Sequence, residues 1–258
     1  MSAQGSAEGV VVAIDGPSGS GKSSAAKGVA SARGLRYLDT GAMYRAMTWW
    51  MQHHRVDADD AAAVAEAAGR PDITMGTDPA APTVRVDGRD VARDIRTQDV
   101  TAQVSAVSAV PAVRERLVAM QREVIAQARR QAGGIVVEGR DITTVVAPDA
   151  PVKIYLTASS EARAHRRSGE LSGSDVDAIQ ADLARRDLMD SSREDSPLTQ
   201  TADALELETT GLGLDEVVAI LLELTDRAAA DTGGAGGPGA AGAAKTAEEK
   251  EAESSAAR

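Results

Sequence analysis

The chain has 258 residues, of which 43% are hydrophobic, and it carries a net charge of −11. That length is enough to bury the core of one α/β domain with an insertion, or of two small domains. The acidic balance argues against a general nucleic-acid or membrane-surface binder, and the absence of cysteine from the sequence excludes disulfides and thiolate metal sites. Because no basic leader and no apolar run of about 18 residues is found, we expect a cytoplasmic protein.

Short apolar runs alternate with helical patterns along the chain, beginning with "VVVAID" at 10–15, which is apolar on both sides of the strand. The predicted strands are 10–15, 35–39, 134–139, 152–157 and 204–209. The predicted helices are 22–33, 41–53, 98–131 with a break at Pro111, 159–168, 174–190 and 214–229. This alternation predicts an α/β fold with a doubly wound parallel sheet.

One segment departs from the alternation. "PTVRVDGRDVARDI", from Pro82 to Ile95, has an Asp-Gly turn at 87–88 between short extended runs, which predicts an antiparallel hairpin. The run "DITMG" at 72–76 is a candidate third strand. We interpret residues 70–97, approximately, as a small inserted β subdomain.

The two ends of the chain differ in composition from the rest. Residues 1–9 are small and polar, and residues 230–258 consist largely of Gly, Ala and Glu. Such segments cannot bury enough apolar surface to offset their conformational entropy, so both are predicted to be disordered. The folded domain is therefore predicted to span residues 10–229.

The strongest motif is "GPSGSGKS", from Gly16 to Ser23, which matches the phosphate-binding pattern G-x-x-x-x-G-K-[ST] between a predicted strand and a predicted helix. Its glycines let backbone amides surround phosphates; Lys22 addresses the β- and γ-phosphates, and the Ser23 hydroxyl is a candidate Mg²⁺ ligand. A dinucleotide-binding loop, suggested by Asp39 at the end of the next strand, fits less well because the glycine spacing differs.

ATP is the expected nucleotide. GTP-dependent switches carry an Asn-Lys-x-Asp motif, and this sequence contains no asparagine. A GTPase of the usual kind is therefore excluded.

The stretch "LDTGAMYRA" places Thr40 and Arg45 just after the second predicted strand, at the sheet edge where open α/β sheets bind ligands. "GRD", with Arg140 and Asp141, follows the strand at 134–139 and lies at the same edge. Arginines at this edge favour an anionic acceptor next to the phosphate loop, although Arg45 taken alone is equally consistent with a solvated helix residue.

Two later helices carry arginines at helical spacing. "EARAHRR" places Arg163, Arg166 and Arg167 on one face, and "RRDLMDSSR" does the same for Arg186, Asp190 and Arg193 if the helix continues that far. One such pattern alone would be better explained by surface ion pairs. Two of them in a protein with a phosphate loop favour a mobile, arginine-bearing lid over about 159–195.

The residues at this point resemble a known family. The bacterial cytidylate kinases, which are nucleoside monophosphate kinases, are similar in blocks that run in the same order from about 10 to 225: "IDGPSGSGKSSAAKGVA", "YLDTGAMYRA", "IRTQDV", "VVEGRDITTVVAPDAPVKIYLTAS", "ARAHRR" and "RRDLMDSSR". The resemblance implies a five-stranded parallel core, a small β insertion on the monophosphate side and an arginine-bearing lid. It also implies transfer of a phosphoryl group from ATP, with Mg²⁺, to CMP and dCMP.

The resemblance further implies roles for individual residues. ATP would be bound by Gly16, Pro17, Ser18, Gly19, Ser20, Gly21, Lys22, Ser23 and Ser24. The phosphate of CMP would be contacted by Arg45, Arg140, Arg186 and Arg193, the cytosine by Ser105, Arg114 and Asp141, and the sugar by Thr40, Arg186 and Asp190. Lys22, Arg140, Arg186 and Arg193 would stabilise the transferred group. Thr40 stands where the family commonly has serine, and Ser23 where it often has glycine.

Two other functions stay open at this stage. One is a kinase for another small acceptor, such as UMP, AMP or shikimate; the other is a regulatory P-loop nucleotide-binding module that transfers no phosphoryl group to a small molecule. We expect small-molecule substrates, and we expect no nucleic acid, membrane or obligate protein partner.

Overall fold

The computed structural model describes residues 9–131, 133–170 and 175–233. The strands in these residues are β1 (Val10–Asp15), β2 (Arg36–Asp39), β3 (Ile73–Met75), β4 (Val84–Val86), β5 (Arg89–Asp90), β6 (Gly134–Glu138), β7 (Val152–Thr157) and β8 (Leu205–Glu208). The α-helices are α1 (Lys22–Arg33), α2 (Thr40–His53), α3 (Ala61–Ala67), α4 (Gln98–Ala109), α5 (Pro111–Gln131), α6 (Ser160–Glu170), α7 (Val176–Ser191) and α8 (Leu214–Gly233).

Five parallel strands of the described chain form the central sheet, in the order β2-β6-β1-β7-β8. Strand β1 lies in the middle, where Val12 is opposite Val136 of β6 and Val152 of β7. Its continuous apolar sequence suits this place, because a central parallel strand with helices on both sides has no face in contact with water. The predicted five-stranded, doubly wound sheet is confirmed.

The side chains of β1 alternate between two apolar clusters, one on each face of the sheet. Val11 and Ala13 join the larger cluster, with side chains of α2, α4 and α5, whereas Val12 and Ile14 join the smaller one, with side chains of α1 and α8. Both faces of the sheet are therefore covered by helices, and the carboxyl ends of the strands are left to form a site.

The predicted insertion is a three-stranded antiparallel sheet, β3-β4-β5. Ile73 pairs with Val86, and the turn at Asp87 and Gly88 has positive φ at both positions, 51° and 79°. Asp-Gly is a favoured sequence for such a turn. Val84 and Val86 belong to the larger apolar cluster, which anchors the insertion to the main domain.

Helix α3 and a π-helical turn are among the elements that were not predicted from the sequence. Helix α3 has only seven residues, six of them Ala or Glu, and its beginning is marked by Asp60, whose side chain accepts from the amides of Ala62 and Ala63. A π-helical turn follows β6 at Ile142–Val146. Neither segment is long enough to produce a helical hydrophobic period.

Helix α8 continues to Gly233, so residues 230–233, which the sequence assigns to the tail, are helical. The rest of that predicted disordered tail, and residues 1–8 of the predicted disordered N-terminal segment, lie outside the described residues. No helix in the described part of the chain is long and apolar enough to cross a membrane.

Candidate active site

The loop between β1 and α1 has the backbone shape of a phosphate-binding loop. Gly16, Gly19 and Gly21 have φ values of 146°, 79° and 91°, which side-chain-bearing residues rarely adopt. At Gly16 there is also no space for a side chain, since a Cβ atom would lie 2.0 Å from the carbonyl oxygen of Leu156. Gly21 is the N-cap of α1, so the free amides at the beginning of this helix face the site.

A cavity of about 750 Å³ opens beside this loop at the carboxyl edge of the sheet. Its walls come from the loop, from β2 and α2, from the inserted sheet, from the segment after β6 and from the arginine-bearing helices α6 and α7. Ten of the residues predicted for the site line it: Ser18, Gly19, Ser20, Gly21, Lys22, Ser23, Ser24, Arg45, Arg140 and Arg186. The structure therefore brings the predicted donor loop and three of the predicted acceptor arginines to one space.

Lys22 is folded back onto its own loop. Its Nζ donates to the carbonyl oxygen of Pro17 at 2.7 Å and to Ser20 Oγ at 3.3 Å. Burial, and then repulsion from Arg140, lower the pKa of Lys22 to about 7. Extra negative charge at this loop would favour the protonated lysine.

Glu138 and Tyr37 also line the cavity, and neither was predicted as a site residue. Tyr37 Oη donates to Glu138 Oε1 at 2.5 Å, which orients the carboxylate at the end of β6. Burial, and then the charge of Asp39, raise the pKa of Glu138. The available signal was an acidic residue at the end of an apolar strand, directly before "GRD", at the edge where the other site residues end.

Arg45, Arg140 and Arg186 make the opposite side of the cavity positive. Arg45 Nη1 donates to Thr101 Oγ1 at 2.8 Å, and Arg140 Nε donates to Asp190 Oδ2 at 3.0 Å. Burial and neighbouring arginines lower the pKa of Arg45 and of Arg186. The buried Nε of Arg186 has no hydrogen-bond partner among the described residues. Mutual repulsion and an unused donor are both relieved by an anion such as a phosphate group.

Apart from Arg186, the residues predicted to contact the cytosine and the sugar do not line the cavity. Arg114 and Asp141 form an ion pair, and both side chains are 5% exposed. Arg114 Nη1 also donates to the carbonyl oxygen of Ser108 at 3.4 Å, and Ser105 is buried close by on α4. Thr40 Oγ1 donates to the carbonyl oxygen of Glu138 at 2.7 Å. Thr40, Ser105, Arg114, Asp141, Asp190 and Arg193 are thus absent from the cavity lining in this structure.

Two arginines of α6, Arg163 and Arg166, bind the loop directly, and Arg166 Nη1 does so by donating to the carbonyl oxygen of Ser20 at 3.4 Å. Arg163 Nη1 donates to the carbonyl oxygen of Ser18 at 3.0 Å and pairs with Asp187 of α7, whose Oδ1 accepts from the Ser18 amide at 3.1 Å. Arg166 donates to the carbonyl oxygen of Thr209 at 2.6 Å. Helices α6 and α7 share a small apolar cluster of their own, with Ala164, Ile179 and Leu183.

The predicted helical face of Arg186, Asp190 and Arg193 is not continuous, because α7 ends at Ser191. Arg193 follows the helix and its Nε donates to the carbonyl oxygen of Asp190 at 3.3 Å. The Nη2 atom of Arg193 is buried and has no hydrogen-bond partner in the described chain.

The oxygen atoms that the loop region offers as metal ligands fit Mg²⁺. Within the described ranges no group of three His, Cys, Asp or Glu side chains is placed to hold a metal ion. The cavity does present the Ser23 hydroxyl and the Glu138 carboxylate beside the loop. Mg²⁺ is commonly bound by one or two such oxygens, with phosphate oxygens and water completing its octahedron, so no larger protein cage is needed.

A parallel sheet with a phosphate loop after its central strand, facing an arginine-lined cavity, defines a P-loop phosphotransferase. The chain belongs to the cytidylate kinase family, whose family model, described as "Cytidylate kinase", matches residues 12–227. The protein is therefore an ATP-dependent phosphotransferase.

Curated relatives agree with this family. A cytidylate kinase of Streptomyces coelicolor is 58% identical over 221 residues, which covers 86% of this chain and 94% of the relative. One of Streptomyces avermitilis is 56% identical over 221 residues with the same coverage. One of Mycobacterium leprae is 50% identical over 219 residues, covering 83% of this chain and 95% of the relative.

Proposed function

We propose that the protein transfers the γ-phosphoryl group of ATP to CMP and to dCMP, giving ADP and the corresponding diphosphate. The observation that supports this most directly is the single cavity between the donor loop with Lys22 and the cluster of Arg45, Arg140 and Arg186. One side suits the phosphates of ATP and the other suits an anionic acceptor, so both substrates would meet across one space.

The chemistry proposed for this site needs no general base. The nucleophile is a phosphate oxygen of the monophosphate, which is largely dianionic at pH 7 because its second pKa is about 6. It attacks the γ-phosphorus in line, the bond to the β-γ bridging oxygen breaks, and ADP leaves with that electron pair. Catalysis then consists of positioning and of neutralising charge on the transferred group.

Each part of the site has a role in that proposal. Lys22 neutralises the transferred group from the donor side, and Arg140 and Arg186 neutralise it from the acceptor side. Ser23, with Glu138 near it, would hold Mg²⁺, which when bound supplies positive charge to the phosphates. Arg163, Arg166 and Asp187 hold the loop beneath the lid helices and so keep water from competing with the acceptor.

The base would be selected by the buried group of Ser105, Arg114 and Asp141. Cytosine carries an exocyclic amine that donates, where uracil carries an oxygen that accepts. The Asp141 carboxylate, which is paired with Arg114, would accept from that amine and repel the uracil oxygen. We therefore expect kcat/KM for CMP to exceed that for UMP by roughly 10- to 1,000-fold, since buried polar partners discriminate strongly.

A coupled assay of ADP release, with ATP, Mg²⁺ and a panel of monophosphates and shikimate, tests the proposal. The expected result is turnover with CMP and dCMP above that with UMP and AMP. Asp141→Ala should lower kcat/KM for CMP far more than for UMP, whereas Asp149→Ala, whose carboxylate is 79% exposed, should change neither. Slow ATP hydrolysis without transfer to any acceptor would instead support a regulatory nucleotide-binding module, and an unchanged ratio in Asp141→Ala would remove Asp141 from base selection.

A further inference from the structure

Asp15, the last residue of β1, has a buried carboxylate, and both of its oxygens accept hydrogen bonds. Oδ1 accepts from the amide of Ile142 at 2.9 Å, and Oδ2 accepts from the amide of Thr143 at 2.8 Å and from Thr143 Oγ1 at 2.7 Å. The residue is 0% exposed. All three contacts are made by donors, which is the arrangement that an ionised carboxylate requires.

We infer that Asp15 is a positioning residue for phosphoryl transfer, whose carboxylate fixes the segment carrying Arg140 and Asp141 relative to the donor loop. The inference rests on the proposed function, because Arg140 and Asp141 are taken there to bind the acceptor. It adds the residue that sets the distance between the two halves of the site.

The place of Asp15 in the chain gives it this role. It is joined covalently to Gly16, the first residue of the donor loop, and by hydrogen bonds to the two residues that directly follow Asp141. The backbone ladder between β1 and β6 ends where the Gly139 amide donates to the carbonyl oxygen of Ile14 at 3.0 Å. Beyond that point, the Asp15 side chain provides the hydrogen bonds between the end of β1 and the segment after β6. That segment contains Arg140 and Asp141, the proposed acceptor-binding residues.

The segment held by Asp15 is irregular, and although Ile142 and Val146 are packed in the larger apolar cluster, its first backbone amides need acceptors from elsewhere. The π-helical turn Ile142–Val146 begins there, and its first amides have no partner within the turn, as at the beginning of any helix. Asp15 supplies acceptors for two of them. The amides of Val145 and Val146 donate to the carbonyl oxygen of Asp141, at 2.9 and 3.1 Å. The backbone around Asp141 is therefore held by this turn as well as by Asp15.

Packing alone does not require a carboxylate at this position. Burial raises the pKa of Asp15, and the three hydrogen bonds oppose that rise, so a carboxylate at this buried position carries a desolvation cost. An apolar side chain of similar size would fill the space without that cost, but it would leave the Ile142 and Thr143 amides without acceptors. The carboxylate therefore serves to fix the backbone of the segment after β6, which begins with Gly139.

Asp15→Asn tests the inference, because it keeps the size of the side chain but turns one acceptor into a donor that faces an amide. A displacement of about 1 Å in a positioned reactant costs about 100-fold in rate. We expect kcat/KM for CMP to fall by about 10- to 100-fold. The ratio of kcat/KM for CMP to kcat/KM for UMP should also decrease, toward the value expected for Asp141→Ala. Calorimetric affinity for a non-hydrolysable ATP analogue should change less than about threefold, because the glycine loop keeps its own backbone contacts.

Thr143→Val is the matched variant, since it removes only the hydroxyl bond and keeps both amide bonds. Like Asp15→Asn, it should lower the ratio of kcat/KM for CMP to kcat/KM for UMP, but by a smaller factor. A purely structural role for Asp15 would lower the melting temperature and the active fraction, but it would leave the ratio and the KM for CMP unchanged.

The outcomes separate this inference from the proposed function. Wild-type protein that fails to phosphorylate CMP would overturn the proposed function and the inference with it. If wild type is active and Asp141→Ala shifts the ratio, an unchanged ratio and CMP KM in Asp15→Asn overturn the positioning role alone. Should Asp15→Asn not fold, Thr143→Val decides: a narrowed ratio supports the role and an unchanged ratio overturns it.

Discussion

Lys22 has a lowered pKa, of about 7, because its ammonium group is buried against its own loop and repelled by Arg140. The phosphates of ATP would supply the missing negative charge and raise that pKa again. Between pH 7 and about 10, therefore, the free protein holds fewer protons at Lys22 than the complex does. At pH 8 binding of ATP should take up close to one proton, and below pH 6 this uptake should vanish because the lysine is already charged.

Calorimetry of ATP binding in two buffers of different ionisation enthalpy, without Mg²⁺ so that no metal contributes, measures this uptake. Lys22→Met keeps most of the side-chain length and loses the charge. It should show no proton uptake at this site and should also lose most phosphoryl transfer. Equal uptake in the variant would assign the proton to another group.

The sequence indicates most strongly those site residues that follow a local pattern. The glycine spacing and Lys22 lie within eight consecutive residues, and the arginines recur at helical spacing. Tyr37 with Glu138, Asp15 with Thr143, and Ser18 with Asp187 are joined only by the fold, since their members lie on distant segments. No pattern in one sequence contains such pairs, so they could be found only once the strand order was known.

At the scale of elements, helices α6 and α7 hold the donor loop through Asp187, which accepts from the Ser18 amide and from Arg163. Asp187→Ala removes charge-assisted hydrogen bonds of about 1.5–3 kcal/mol each in well-buried settings, and part of that loss should appear as weaker ATP binding. We expect KM for ATP to rise about 10-fold and KM for CMP to change less. Steady-state kinetics with each substrate varied in turn measures both.

Asp182→Ala is the control for that variant. Asp182 lies on the same helix, is 64% exposed and pairs only locally with Arg185 at 3.1 Å, so its loss should leave both KM values unchanged. If both substitutions raised KM for ATP equally, the cause would be a general change in the helix and not the loss of the contact between Asp187 and the loop.

The inserted sheet is fastened by Asp87 at its turn. This carboxylate accepts from Trp50 Nε1 and from the Asp72 amide, both at 2.8 Å, and the residue has a φ of 51°. Asp87→Ala loses both bonds and places alanine in a left-handed conformation, so we expect a destabilisation of about 1–3 kcal/mol. Urea unfolding followed by tryptophan fluorescence measures it. Asp87→Asn should destabilise the protein less, because asparagine tolerates that φ and keeps an acceptor. An equal destabilisation would show that the left-handed backbone conformation does not contribute to the effect.

The long elements were predictable because each has a period or a continuous apolar run. Helix α1 was predicted with the bounds it has, and strands β1 and β7 likewise. The π-helical turn after β6 was not, since "ITTVV" is β-branched and favours a strand by itself. Its first two amides donate to Asp15, a contact between distant segments that no local pattern contains.

At the scale of the whole molecule, α8 closes the face of the sheet that α1 covers. Leu221 belongs to the apolar cluster there, and Leu224 and Ala228 pack against it. Residues 234–258 are poor in large apolar side chains, so a chain that ends at Gly233 should keep its melting temperature within about 2 °C and its kcat. Differential scanning calorimetry and the ADP-release assay check both.

A chain that ends at Glu223 is the contrast, because it loses Leu224 and Ala228 from the packed face. Its melting temperature should fall by about 2–8 °C. A comparable fall on removing only 234–258 would show that those residues contribute to the folded domain.

Strand β1, the first strand of the described residues, is the middle strand of the central sheet, and this has a consequence for synthesis on the ribosome. Strand β1 pairs with β6 and β7, and the carbonyl oxygen of Leu156 faces Gly16, so the loop gains its support only when residues up to Thr157 have emerged. Until then the nascent chain exposes the apolar run Val10–Ile14, a segment of the kind that chaperones protect. The loop that binds the nucleotide is therefore synthesised well before the two strands that support it.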